Sequence, residues 1–511
     1  MPEGAAPAAG QTLDALLDGG QPARAAFVVP EDGQVISYGE LAERIETLAG
    51  RLAAAGVRRG DRVALTLPNS PDFVQLLLAV TLLGAAAAPL NPAYTEPEYT
   101  FYLEDVAPRL LLMPASLPAA AAAAASAAGT RVLGVADVAG GPADLLLDGA
   151  PVAARPGFER AAPDDVAIVL HTSGTTSRPK QVPLLQRNLM ASTRSIAAHF
   201  QLGPDDVSFC VMPLFHVHGL VASAFAALAA GGTVVSPRRL TPQRFWRQAR
   251  ETGTTWLSAG PTLHQMLLDR IDGEGAPGTL RFARSCSSAL SPELLHRAEA
   301  LYRVPMLESY GMTEASHQMA ANPLPPGERV PGSVGVPAGT EIGIVDGSGS
   351  FRPAGEAGEV VIRGPGVMSG YVNNPAATAE AFFGEWFRTG DRGAMRDGYL
   401  YLEGRIKEMI IRGGENISPA EIEQVLLSHP AVTDAVCFGV PDDKYGELPA
   451  AAVTLGAEIE PRELISYCRE QLAAFKVPSV IHVLPQIPRT ATGKVQRRRV
   501  GEFVASGQAA G

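Results

Sequence analysis

The sequence predicts an α/β protein built from a large N-terminal part and a small C-terminal part. Three observations point there. From Ser37 to Leu90, helical and strand patterns alternate, which argues for layered parallel strands. Between Gly332 and Leu402, short alternating strands such as Glu359–Arg363 sit between Gly/Pro turns, a β-rich stretch. Beyond Gly404-Arg405-Ile406-Lys407 comes a compact α+β unit of roughly 100 residues.

Residues 1–10 are rich in Ala, Pro and Gly, the composition of a disordered tail. The apolar spacing of Leu41–Ala55 predicts an amphipathic helix, and Arg62–Leu67 a short strand. Phe73–Leu90 is nearly all apolar but is interrupted by Gln75, so it reads as a buried helix followed by a strand. The low-complexity tract Ala119–Ala128 reads as a surface helix. Val166–Leu170 reads as a strand. The C-terminal unit is expected as helix Pro419–Ser428, strands Ala431–Val440 and Ala450–Leu455, helix Pro461–Leu472 and strand Val480–Val483.

A chain of 511 residues exceeds one core, so two or more domains are expected. With 46% hydrophobic and 19% charged residues, it has the composition of a globular protein. A net charge of −11 disfavours nonspecific nucleic-acid binding. Cys210, Cys286, Cys437 and Cys468 are widely spaced, without metal-type pairing, which fits a reducing compartment and free thiols. Neither a membrane span nor a signal peptide is expected, and the default is a cytoplasmic protein.

The most informative segment follows the Val166–Leu170 strand. Thr172, Ser173, Thr175, Thr176 and Ser177 surround Gly174, and Lys180 closes the loop. Glycine permits a tight backbone, so hydroxyls, N–H groups and a lysine can converge on polyphosphate. No glycine precedes Lys180 and no Ser or Thr follows it, so this is not a Walker A loop. An ordinary Ser/Thr-rich surface turn has the same composition. At the other end of the chain, Arg489, Lys494, Arg497, Arg498 and Arg499 form a cationic tip that suits an anionic ligand or a solvated tail.

Six segments occur in order: His171–Lys180, Pro213–Gly219, Tyr310–Glu314, Arg388–Asp391, Gly404–Glu408 and Pro488–Lys494. Together they resemble the acyl-adenylate-forming (AMP-binding) superfamily, from about Leu41 to Arg499. The resemblance implies a multi-layer large domain, residues 11–403, with two mixed sheets, helices and a small β-barrel-like subdomain at 332–402. It also implies a small mobile α+β lid, residues 404–511, hinged at 405–407. The implied reaction uses ATP, Mg²⁺ and CoA: a carboxylate attacks the α-phosphate, and a thiol then displaces AMP. The expected assembly is a monomer or homodimer.

The resemblance carries roles onto individual residues. Thr172, Ser173, Gly174, Thr175, Thr176 and Lys180 would hold the β- and γ-phosphates. Thr313 would contact the α-phosphate, and Glu314 with Thr175 would hold Mg²⁺. Tyr310 would stack on adenine, with Gly311 and Met312 beside it. Asp391 would bind the ribose hydroxyls, and Arg405 would lie near ribose and phosphate. Lys494 would neutralise the reacting oxygens in the first step. A swing about Lys407 would then replace Lys494 by Gly414 at the pantetheine tunnel, with His216 as gate. Each residue also has an ordinary reading: a core tyrosine, a Thr-Gly-Asp turn, a boundary salt bridge, a solvated lysine.

A narrower resemblance is to the oxalate–CoA ligase group. It is carried by His171–Lys180, Phe215–Gly219, Arg284-Ser285-Cys286-Ser287-Ser288-Ala289-Leu290 and Thr313–Pro325. It implies Ser287, Ser288, His216 and His317 as acid-binding positions, although Ser287 and Ser288 also suit a backbone turn and His317 a packed core. A small diacid needs donors in place of a long apolar pocket. Ser177, Gln181 and Asn416 depart from the wider superfamily. Ser177 is usual in the oxalate group, Gln181 is expected to cost little activity, and Asn416 is expected to weaken one contact to CoA or nucleotide. The alternatives are a ligase for a medium-chain or other small acid, a luciferase-like oxygenase and a non-catalytic relic.

Overall fold

The computed structural model describes residues 10–116, 119–136, 143–172, 179–413, 415–489 and 495–505. Ser173, Gly174, Thr175, Thr176, Ser177, Gly414 and Lys494 lie outside the described residues, as do residues 1–9 and the side chain of Asn416.

Two large mixed sheets carry the N-terminal part. In the nine-stranded sheet, Val207–Phe209, Thr233–Val235, Trp256–Ala259, Phe282–Ser285 and Met306–Met312 run parallel. His317–Ala321 turns back antiparallel on Met306–Met312. In the eight-stranded sheet, Arg62–Leu65, Ala86–Pro89, Leu110–Pro114 and Val166–His171 are parallel, and Gln181–Leu185 folds back on the last of these.

One apolar cluster joins both sheets. It includes Leu65 and Ile168 from one, Val234 and Leu307 from the other, and Leu76, Val80, Leu189 and Phe225 from helices. Each such side chain contributes about 1.5–3 kcal/mol on full burial. The helix Pro71–Leu82 is buried at every position except Asp72, which explains its lack of a polar face. Ser70 caps its start, accepting from the Phe73 N–H, and Pro71 occupies the first turn, where no N–H is needed. The helix Tyr38–Ala54 begins with a full capping box between Ser37 and Glu40.

The alanine tract forms the helix Ala119–Ala127, with Ala121, Ala124 and Ala125 buried in a cluster with Tyr99 and Leu103. It is thus half a core helix rather than a plain surface one, because small side chains at i, i+3 and i+4 spacing allow close packing.

A third, five-stranded antiparallel sheet spans Glu341–Val345 to Tyr399–Arg405. Val336–Pro337 pairs instead with His317–Ala321. The fourth sheet contains Ile410–Arg412, Glu415–Ile417, Val432–Asp442, Gly446–Leu455 and Ile481–Val483. Helices Pro419–Leu427 and Pro461–Gln471 cover it, with a core of its own around Ile422, Cys437, Val453 and Leu464. Among the described residues, no helix is long and apolar enough to cross a membrane.

Candidate active site

A cleft of about 750 Å³ opens where these parts meet. Several parallel strands of the nine-stranded sheet point their C-terminal ends at it: Ser287 follows Phe282–Ser285, and Thr313 follows Met306–Met312. Thr172, Lys180, His216, Ser287, Gly311, Met312, Thr313, Glu314, His317, Arg405 and Lys407 all line it. Ser288 is exposed and is not among the lining residues.

The described ends of the Thr172–Lys180 loop are tied together. The Thr172 N–H donates to the Lys180 carbonyl at 2.9 Å, and the Lys180 N–H donates to Thr172 Oγ1 at 3.1 Å. Below this tie, Gln181 Nε2 donates to the Asp105 carboxylate at 2.7 Å, and His171 Nε2 lies 2.9 Å from the same group. Burial lowers the His171 pKa, and Asp105 only partly offsets this. Gln181 is therefore a structural tie at the base of the loop.

Tyr371 stands between two candidate residues. Its hydroxyl donates to Glu314 Oε1 at 3.1 Å, and Lys180 Nζ lies 4.6 Å from its ring centroid. Burial raises the Glu314 pKa, while the Tyr371 hydroxyl pulls it back. A buried carboxylate with so few donors favours a nearby cation.

Tyr310 and Asp391 meet directly: the tyrosine hydroxyl donates to Asp391 Oδ2. Arg405 Nε lies 2.6 Å from Asp391 Oδ1, and Arg405 also donates to the Thr389 carbonyl at 3.1 Å. Neither Tyr310 nor Asp391 is among the cleft-lining residues, but their neighbours Gly311 and Gly390 are. Gly311 is required where it stands, since a Cβ would lie 2.1 Å from the His317 carbonyl oxygen across the strand pair.

At the acyl-side candidates the chain departs from relaxed geometry. Ser287, Ser316 and His317 have φ of 79°, 54° and 109°. Such values in non-glycine residues are held by their surroundings. Ser316 Oγ donates to the Gly366 carbonyl at 2.8 Å. His218 lies in the short helix Val217–Gly219, whose next segment, Leu220–Phe225, is π-wound, a distortion common at functional sites. His218 lies between two serines, with Nδ1 2.9 Å from Ser287 Oγ and Nε2 2.7 Å from Ser258 Oγ. Its ring centroid is 5.2 Å from that of His317. Burial, then the charge of Arg284, pushes the pKa of both histidines well below the ordinary value, so both are neutral.

Sequence reasoning missed Tyr371, His218, Ser258 and Arg284 as site residues. His218 stood in the motif that supplied His216. Arg284 was visible as a charge inside the apolar strand Phe282–Ser285. Nothing local marked Ser258 or Tyr371.

The AMP-binding enzyme family matches residues 18–372, and the AMP-binding enzyme C-terminal domain matches residues 421–494. The probable CoA ligase CCL9 of Humulus lupulus is 46% identical over 481 residues, covering 91% of each chain. The oxalate–CoA ligase of Arabidopsis thaliana is 45% identical, covering 91% of this chain and 93% of its own. The sulfoacetate–CoA ligase of Cupriavidus necator is 38% identical, covering 92% and 93%. ATP-bound MatB from Rhodopseudomonas palustris superposes with a TM-score of 0.88 at 31% identity, covering 97% of this chain and 99% of that one. MenE from Bacillus subtilis with ATP and magnesium ion superposes with a TM-score of 0.85 at 31% identity, covering 96% and 98%.

Fold and cleft together define a two-domain, mixed α/β, adenylate-forming enzyme, an AMP-forming acid–CoA ligase that takes a carboxylic acid, ATP and CoA. The chain belongs to the AMP-binding enzyme family.

Proposed function

We propose that this ligase converts oxalate to oxalyl-CoA. The observation that carries the reading is the polar acyl end of the cleft, where Ser287 and His317 line the wall and His218 backs Ser287. An alkyl chain there would strand these donors, whereas a second carboxylate accepts from them. The similarity to a plant oxalate–CoA ligase supports the same acid.

In the first step one oxalate carboxylate attacks the α-phosphorus of ATP, forming oxalyl-AMP and releasing pyrophosphate. The loop from Thr172 to Lys180 holds the β- and γ-phosphates, and Thr313 meets the α-phosphate. Tyr310, Asp391 and Arg405 fix the nucleoside end. Glu314 and Thr175 would hold Mg²⁺. That ion would neutralise polyphosphate charge. Lys494 neutralises the reacting oxygens as the small domain closes. In the second step the CoA thiolate attacks the acyl carbon and AMP leaves. The small domain, residues 404–511, turns about 405–407, brings Gly414 to the thiol tunnel and removes Lys494. His216 stands between acid and thiol.

The test is product identity. With oxalate, ATP and Mg²⁺ alone, the expected products are oxalyl-AMP and pyrophosphate; adding CoA gives oxalyl-CoA and AMP. Failure to form either acyl product from oxalate would remove the substrate assignment and leave the ligase class intact.

A further inference from the structure

Arg284 is completely buried, yet among the described residues it pairs with no carboxylate. Its NH1 donates to Ser258 Oγ at 3.2 Å, and its NH2 reaches Gln318 Oε1 at 3.1 Å and His317 Nδ1 at 3.3 Å. Its guanidinium carbon lies 5.4 Å from the Phe200 ring centroid, and among the described residues its Nε has no hydrogen-bond partner. A buried charge left in this state is costly unless an anion arrives. Arg284 is not among the cleft-lining residues, but His317, His218 and Ser287 are. Its influence on the cleft therefore runs through them.

The guanidinium can only donate, so Ser258 Oγ, Gln318 Oε1 and His317 Nδ1 all act as acceptors toward it. Receiving at Nδ1, neutral His317 carries its proton on Nε2. With one lone pair taken by NH1, Ser258 has its own proton free to donate to His218 Nε2, 2.7 Å away. His218 then donates from Nδ1 to Ser287 Oγ, and the Ser287 hydroxyl proton is left for the cleft. Both branches end in a donor, with an uncompensated positive charge behind them.

We propose that Arg284 is the positioning residue that makes this cleft select acids with a second negative charge, by setting the donor polarity of His317 and, through Ser258 and His218, of Ser287. The proposal rests on the reading of the substrate as a small dianion. It assigns to one buried side chain the discrimination between oxalate and a singly charged acid of the same shape.

The test compares oxalate with oxamate, its near-isosteric monoanion, in pyrophosphate release by the full-length enzyme. Arg284→Met fills the volume without the charge. The expected result is a KM for oxalate about 100-fold higher, loss of the oxalate-over-oxamate preference and little change in KM for ATP. Arg284→Lys restores part of the preference. Ser258→Ala, which keeps the charge and breaks one branch, raises the oxalate KM by about 10-fold. Its conservative size makes it decisive even where Arg284→Met does not fold. An oxalate-to-oxamate ratio unchanged in Arg284→Met, or an oxalate KM unchanged in Ser258→Ala, overturns the proposal. Wild-type enzyme that does not prefer oxalate to oxamate instead overturns the substrate reading itself.

Discussion

Tyr371 shows how one hydroxyl can set the state of the candidate site. Burial favours the protonated Glu314, and the 3.1 Å hydrogen bond from Tyr371 favours the carboxylate. Removing the hydroxyl raises the Glu314 pKa further, so ionised Glu314 is lost first at low pH. For Tyr371→Phe we expect kcat/KM for ATP to fall about 10-fold at the acidic end of the profile and less at the alkaline end. A pH profile that overlays the wild type would remove Tyr371 from the site. At this scale the motifs in the sequence pointed to the residues that line the cleft: Lys180, His216, Ser287, Thr313, Glu314 and His317. They did not disclose Tyr371, Ser258 or Arg284. Those act through contacts between segments distant in sequence, such as Ser258 with His218 or Tyr371 with Glu314, and a sequence pattern records only local spacing.

Glu308 belongs to the scale of elements. It sits on the strand Met306–Met312, and its Oε2 accepts from the Gly332 N–H at 2.9 Å, tying the strand to the chain that enters Val336–Pro337. Burial raises its pKa from the ordinary carboxylate range to about 7. A folded-state pKa above the unfolded one means that its protonated form stabilises the fold below about pH 4.5 and that this stability is lost as pH rises through about 7. Glu308→Gln keeps an acceptor for Gly332 without the charge. In urea titrations it should be more stable than wild type by about 1–3 kcal/mol at pH 8, with the gap closing toward pH 5. A gap independent of pH would contradict this. Regular elements were the most legible feature of the sequence. Pro419–Leu427, Gly358–Arg363 and Val166–His171 lie within a few residues of expectation. The strand expected over Arg62–Leu67 ends at Leu65. The Ala119–Ala127 helix buries a face that composition alone did not reveal, because its partner, the Tyr99 and Leu103 side of another helix, is a tertiary contact.

For the whole molecule, the proposal is that one cleft performs two reactions by exchanging the face that the small domain presents. The chain between the third and fourth sheets runs through Arg405, Ile406, Lys407 and Glu408, all of which line the cleft, so a turn there changes the cleft directly. Lys494→Ala should nearly abolish oxalyl-AMP formation while leaving thioester formation from supplied oxalyl-AMP largely intact. Equal loss in both half-reactions, measured separately, would contradict the exchange. The two-part architecture was legible because the C-terminal unit has its own pattern and core. The acid was the least legible feature. Selectivity rests on donor direction and on the missing carboxylate partner of Arg284; the arginine itself was visible as a charge inside an apolar strand, but its surroundings were not.

The central claim is that a small dianion is the acid. The most direct measurement is pyrophosphate release by the full-length enzyme with ATP, Mg²⁺ and CoA across oxalate, malonate, sulfoacetate, acetate, octanoate and benzoate. The account predicts the highest kcat/KM with oxalate, about 100-fold above acetate and octanoate. Turnover with octanoate or benzoate and none with oxalate would contradict it.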